Sequence, residues 1–164
     1  MKKLSLRLAA TSLMLCASFA ASAGTLVTKT LEITGVVQEV VGPSLRCPSK
    51  IGGTIVGHGD SALVGKVAFI GSDCITPSGV LYNFSNGRII IMTQTGEQIY
   101  ANYSGQFVPT GEGTKFVFSN ATFQITGGTG KYFRATGGGG FTGGEDMATG
   151  AGTIKLTGRV TYKQ

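Results

Sequence analysis

The chain has no tryptophan, one histidine and only 13% charged residues. Each scarcity closes off a class of protein. A single imidazole, His58, excludes a histidine-rich metal site. Lysine and arginine are scattered without a run, so the electrostatic footprint of a nucleic-acid-binding protein is missing. No apolar run is long enough for a membrane-spanning helix. The absence of tryptophan and the few aromatics leave little for the two girdles of an outer-membrane barrel, and no stable membrane insertion is expected. No Gly-x-Ser-x-Gly elbow occurs, and no serine is linked by pattern to His58. A convincing helical period is absent, while glycine and β-branched residues, both unfavourable in helices, are abundant.

What is present begins with an export pattern. Lys2, Lys3 and Arg7 precede an apolar run, Leu8 to Ala21, and Ala21-Ser22-Ala23 reads as a small-residue cleavage site. Residues 1–23 are therefore expected to be a secretory signal peptide, and 24–164 one exported domain, periplasmic or extracellular. A lipoprotein site at Cys16 is disfavoured by the bulky Leu15 before it. The leader takes three of the 14 basic residues, which leaves 11 against 8 acids and a mature net charge of +3. Two cysteines remain, Cys47 and Cys74, and in an exported chain such an isolated pair is expected to form a disulfide. Closing that loop stabilises the fold by about 3–4 kcal/mol on the chain-entropy account.

Period-two alternation dominates the rest. In Thr153 to Lys163, Ile154, Leu156, Val160 and Tyr162 fall on one face, with Lys155, Arg159 and Lys163 on the other. Val27, Leu31, Ile33 and Val37 share one parity near the start, where Lys29 intrudes and predicts fraying. Val67 and Phe69 alternate with Lys66 and Ala68. Asn86-Gly87 between Val80–Phe84 and Arg88–Met92 predicts a tight hairpin. Strands are also expected from Gln98 to Val108 and from Lys115 to Thr126. In the second, the inward phase slips near Ser119-Asn120, which a β-bulge would repair. About eight short strands in one small all-β domain predict a single antiparallel meander barrel with glycine-rich turns.

The stretch ITGGTGKYFRATGGGGFTGG, Ile125 to Gly144, invites a phosphate-loop reading. It fails the Walker A spacing, because Ile125 stands where glycine is needed and Tyr132 where Ser or Thr is needed. It fails the dinucleotide fingerprint at Phe133. Phe123, Ile125, Tyr132, Phe133 and Phe141 are too many large apolar groups for a disordered spacer. A structural reading remains: Gly127, Gly128 and Gly130 form a tight turn, and Lys131 to Ala135 makes about one turn that drops Phe133 toward the core. Gly137 to Gly140 then starts a strand where backbones approach closely.

Phe123 to Gly143 is similar to a motif of small bacterial exported proteins with an allene oxide cyclase-like, dirigent-like β-barrel. Those proteins show Gly-Gly-Thr-Gly, a basic residue, an aromatic and Ala-Thr-Gly, matched here by Gly127 to Gly130, Lys131, Phe133 and Ala135 to Gly137. Ser61 to Phe69 and Thr95 to Gly105 also resemble their strands, so the likeness covers roughly Ser61 to Gly144. The resemblance implies a fold, not a reaction. Many relatives carry a Thr-His pair where this chain has Ala62 and Leu63, and no reaction-specific residue of the plant cyclase carries over.

The candidate chemistry is sparse. His58 and Asp60 share a strand face, which fits an acid/base pair, but an outward polar face is the preferred reading. Glu97 and Glu112 sit at turns, and Glu145-Asp146 reads as a solvated loop rather than a calcium site. Tyr100 and Tyr103 face opposite ways, so at most one enters the lumen. Sequons at Asn83, Asn102 and Asn120 read as chance. No catalytic residue, metal or cofactor is expected, and the assignment of an enzyme is left open with a lean against it. The primary expectation is a non-catalytic exported barrel that binds a small apolar ligand or a protein partner, or serves as a structural module. The alternatives are a cyclase- or isomerase-like enzyme acting on a small apolar substrate, and a fimbrial subunit. An eight-stranded barrel accommodates either a packed lumen or one small ligand.

Overall fold

The computed structural model describes residues 24–164. The expected leader, with Cys16, lies outside them. Eight strands follow one another: β1 (Leu26–Pro43), β2 (Ile51–Ser61), β3 (Gly65–Ser78), β4 (Leu81–Met92), β5 (Gln98–Pro109), β6 (Lys115–Gly128), β7 (Thr136–Asp146) and β8 (Ala151–Lys163). A 3-10 turn, Gly130–Tyr132, separates β6 from β7. Each strand pairs with the next in antiparallel order, and β1 pairs with β8 to close the barrel. Closure leaves no strand edge free to template aggregation.

The alternation seen in the sequence sets the register. Leu31, Ile33 and Val37 of β1 and Leu156, Val160 and Tyr162 of β8 point inward and are buried. The predicted fraying at Lys29 does not occur: the β1–β8 seam runs from Leu26 opposite Lys163 through Lys29 opposite Val160. Backbone pairing tolerates one exposed lysine because the ladder bonds do not depend on its side chain.

The predicted Asn86-Gly87 hairpin is also absent. Val80–Phe84 and Arg88–Met92 belong largely to one continuous strand, β4, and Asn86-Gly87 forms a bulge between the pairs Phe84–Gly105 and Gly87–Tyr103. Asn86 takes a left-handed φ of 51°, as the hairpin reading required, but the chain does not reverse. Gly87 is needed for space: a Cβ there would lie 2.6 Å from the Tyr103 ring. The expected slip at Ser119-Asn120 is a bulge, with Asn120 at φ 49° and register shifts against both β5 and β7. It keeps Phe116 and Phe118 partly buried on the same interior as Ala121, Phe123 and Ile125.

The meander places its loops alternately at two ends. One end carries Gly24, where the described residues begin, Gln164 and the 3-10 turn. There Tyr132, fully buried, packs at a tilt against Tyr162 with ring centroids 5.0 Å apart. Phe133 does not drop into the core as expected. It is 63% exposed, with the Arg134 guanidinium 5.2 Å from its ring centroid. The 3-10 turn spends its single inward position on Tyr132, and the next residue therefore faces out. Gly127 and Gly128 end β6, Gly130 turns the chain at φ 55°, and Gly137 opens β7. At Gly139, opposite Gly158, a Cβ would lie 2.5 Å from the Gly158 Cα, so these two strands approach too closely for side chains.

The opposite end carries the β1–β2 loop and the β3–β4, β5–β6 and β7–β8 turns. Cys47 in the first loop is bonded to Cys74 on β3, with Cα atoms 5.3 Å apart. The expected disulfide thus ties this loop down over its end of the barrel.

Candidate functional site: an acidic end to an aromatic lumen

Between the two ends the lumen is walled by aromatic rings. Phe84 is the hub, with centroids 4.8 Å from Phe107 and 5.9 Å from Phe141, and Phe118 lies 5.6 Å from both of those. These rings do not fill the interior. A cavity of about 40 Å³ remains, lined also by Phe69 and Phe123. That is room for a few water-sized groups.

Toward the disulfide end the lining changes chemistry. Glu39 of β1, Asp73 of β3 and Glu145 of β7 all border the cavity with Tyr103 of β5, and all three acids are buried. Period-two geometry puts them there. Glu39 continues the odd-numbered inward series of Leu31, Ile33 and Val37, Asp73 that of Val67 and Phe69, and Glu145 that of Phe141. Three of the eight carboxylates thus converge inside a fold that has few.

Asp73 is the best satisfied of the three. Its Oδ2 accepts the Tyr103 hydroxyl at 3.0 Å and its Oδ1 accepts the Gly53 amide at 3.2 Å. The Cys47 sulfur lies 3.5 Å from the Asp73 carbonyl oxygen, a packing contact because a disulfide sulfur has no proton to give. Burial raises the Asp73 pKa above the ordinary carboxylate value, while both hydrogen bonds and the charge of Arg46 pull it back. Burial and the neighbouring Asp73 charge together hold the Tyr103 hydroxyl protonated. Arg46 reaches across from the β1–β2 loop and donates from Nη1 to the Asn86 carbonyl at 2.9 Å.

Glu39 is different. Neither of its carboxyl oxygens has a donor among the described residues. Its head lies where a Gly53 side chain would be, since a Cβ there would fall on the Glu39 carboxyl and 2.9 Å from Asp73 Oδ1. Burial, then the charges of Glu145 and Asp73, push its pKa up to about 9. Glu145 is raised to about 7, by burial first, with Glu39 moderating the rise and the charge of Asp73 adding to it. Burial and like charge therefore keep protons on these carboxyls well above the usual carboxylate range, because neighbouring acids in a dry site resist ionising together.

Glu145 corrects the reading of Glu145-Asp146 as a solvated loop. The pair sits at the end of β7, where Glu145 turns inward and Asp146 accepts the Thr114 hydroxyl at 2.6 Å and the Ala148 amide at 2.9 Å. Among the described residues no cluster of His, Cys, Asp and Glu is arranged to hold a metal ion. His58 and Asp60 share the outer face of β2, and Asp60 pairs with Lys66 at 2.6 Å. Glu97 and Glu112 pair with Lys131 and Lys115 at turns, and Tyr100 donates to Gln98 away from the lumen. None of these joins the interior acids.

The chain matches no protein-family model, and comparison with curated proteins finds no match. What is defined is an eight-stranded antiparallel meander barrel with an aromatic lumen, one acidic end and a disulfide across that end.

Proposed function

We propose that this chain is an exported barrel that binds a small, mainly apolar molecule in its lumen. The observation that carries the reading is the unfilled cavity of about 40 Å³ walled by phenylalanines, in a barrel otherwise packed with apolar side chains. Small barrels of this strand number either fill with side chains or hold one ligand, and a retained void costs stability unless something occupies it. The disulfide and the N-terminal leader pattern support export, because such bonds persist in oxidising compartments. The glycine motif's likeness to allene oxide cyclase-like proteins agrees with the closed barrel.

A cyclase- or isomerase-like activity is the second reading, favoured by one observation. Glu39 and Glu145 are buried and both border the cavity, and acids kept protonated beside a bound substrate are equipment for moving a proton on it. The fimbrial alternative gains no support: a strand-accepting pilin needs an open edge, and β1 and β8 pair here.

Native mass spectrometry of protein purified from its own host tests the binding reading. A co-purifying molecule of small mass, released on denaturation, is expected. A host-purified protein of apoprotein mass that also takes up no small apolar probe would overturn it.

A further inference from the structure

The geometry points to a small primary amine with a short apolar tail as the class of ligand, its ammonium seated on Glu39 and its tail among the lumen phenylalanines. This deepens the binding reading above and rests on it. Glu39 is only 4% exposed, borders the cavity, and has both carboxyl oxygens without a donor. A buried carboxyl in that condition stays protonated, and among the described residues no donor offsets its burial. The groups that face it define what would offset it.

From β3, Asp73 is engaged by Tyr103 and Gly53 and adds only negative charge. From β7, Glu145 can accept a proton but has none to spare for a carboxylate once both are ionised. From β2, Gly53 presents backbone and no side chain. From β5, the Tyr103 hydroxyl is committed to Asp73. Among the described residues Arg46 is the cation felt by Asp73 and Tyr103, and it is tied to the Asn86 carbonyl. The pocket therefore holds an excess of acceptors with no donor directed at Glu39.

An ammonium supplies three N–H donors and one positive charge, and its carbon stem suits an apolar wall. A neutral alcohol of the same shape offers one donor and no charge. A bulky aromatic amine exceeds a void of about 40 Å³, so the tail is short. A metal ion is not the expected occupant, because the carboxyls are not arranged as a ligand set. Seating the ammonium displaces the proton that burial keeps on Glu39, and that proton leaves to solvent. Binding should therefore strengthen as pH rises from acid toward about 8, while an alkyl amine remains protonated.

The test is an NMR titration of the full folded protein with n-propylamine and, separately, n-propanol, at pH 5.5 and pH 8, following the Tyr103 and Phe141 ring signals. At pH 8 the amine should bind at least about tenfold more tightly than the alcohol, and the ratio should shrink at pH 5.5. Glu39→Gln keeps the size of the side chain, so it should retain propanol binding while losing the amine preference. Equal affinity of amine and alcohol at pH 8, or a preference unchanged in Glu39→Gln, would overturn the amine assignment and leave the lumen reading intact. Failure of both probes would overturn the two together.

Discussion

The Tyr103 hydroxyl crosses the interior to donate to Asp73 Oδ2 at 3.0 Å, joining β5 to β3 through the lumen. The bond exists because the β4 bulge at Asn86-Gly87 leaves room for the Tyr103 ring. Removing the hydroxyl in Tyr103→Phe strands a buried acceptor, and stability at pH 7 should fall by about 1–3 kcal/mol in urea unfolding. The bond favours the ionised form of Asp73, so its loss raises that pKa further. The destabilisation should therefore shrink as pH is lowered and Asp73 takes up a proton.

Glu39 and Glu145 have folded-state pKa values raised from 4.5 to about 9 and about 7. Between the unfolded and folded values the native state binds more protons, so its stability declines as pH rises. The contribution is complete below about pH 4.5 and is lost progressively through pH 7 and then pH 9. Thermal unfolding should show a melting temperature lower at pH 9 than at pH 5 by on the order of 5 °C or more. In Glu39→Gln the decline above pH 7 should flatten. A profile that rises from pH 5 to pH 9 would contradict this assignment.

Gly87 and Gly96 test the corrected path of β4. Gly96 has φ +88° with open space around it, so Gly96→Ala should cost about 1 kcal/mol through backbone strain. Gly87 has no left-handed φ but faces the Tyr103 ring, and Gly87→Ala should cost about 2–3 kcal/mol through overpacking. A hairpin at Asn86-Gly87 would make the two substitutions similar.

Much of the fold was legible because period-two alternation is a local signal. The C-terminal strand, the Ser119-Asn120 slip and the two tyrosines on opposite faces all follow from counting parity. The hairpin error has a physical source: Asn-Gly supplies a left-handed φ, which a bulge uses as readily as a reversal. Phe133 was misplaced because a short 3-10 turn has one inward position, and sequence does not say whether Tyr132 or Phe133 takes it. The acidic site was partly legible. Glu39 continues the inward parity of Val37, and an acid in an apolar series is itself a signal. Its meeting with Asp73 and Glu145 depends on the barrel register, which links residues more than 100 positions apart.

Tyr132 has a buried hydroxyl with no partner among the described residues. Burial also raises its pKa, to about 12. Tyr132→Phe removes the unsatisfied group and keeps the ring against Tyr162, so stability should stay level or rise by up to about 1 kcal/mol. Chemical denaturation of the pair of proteins decides it, and a loss above that size would reveal a partner for the hydroxyl.

Reduction of Cys47–Cys74 should lower stability by about 3–4 kcal/mol and loosen the β1–β2 loop that carries Arg46. Hydrogen exchange of residues 44–53 with and without reductant measures it, and faster exchange confined to this end of the barrel is expected.

The most direct measurement is a carbon-13 carboxyl titration of Glu39 and Glu145 in the folded protein. At least one of the two side chains should keep its proton above pH 7, and the carboxyl shifts of both should move together through the transition. Independent titration of both near pH 4.5 would mean that water reaches them freely, and the dry acidic end of the lumen would not exist.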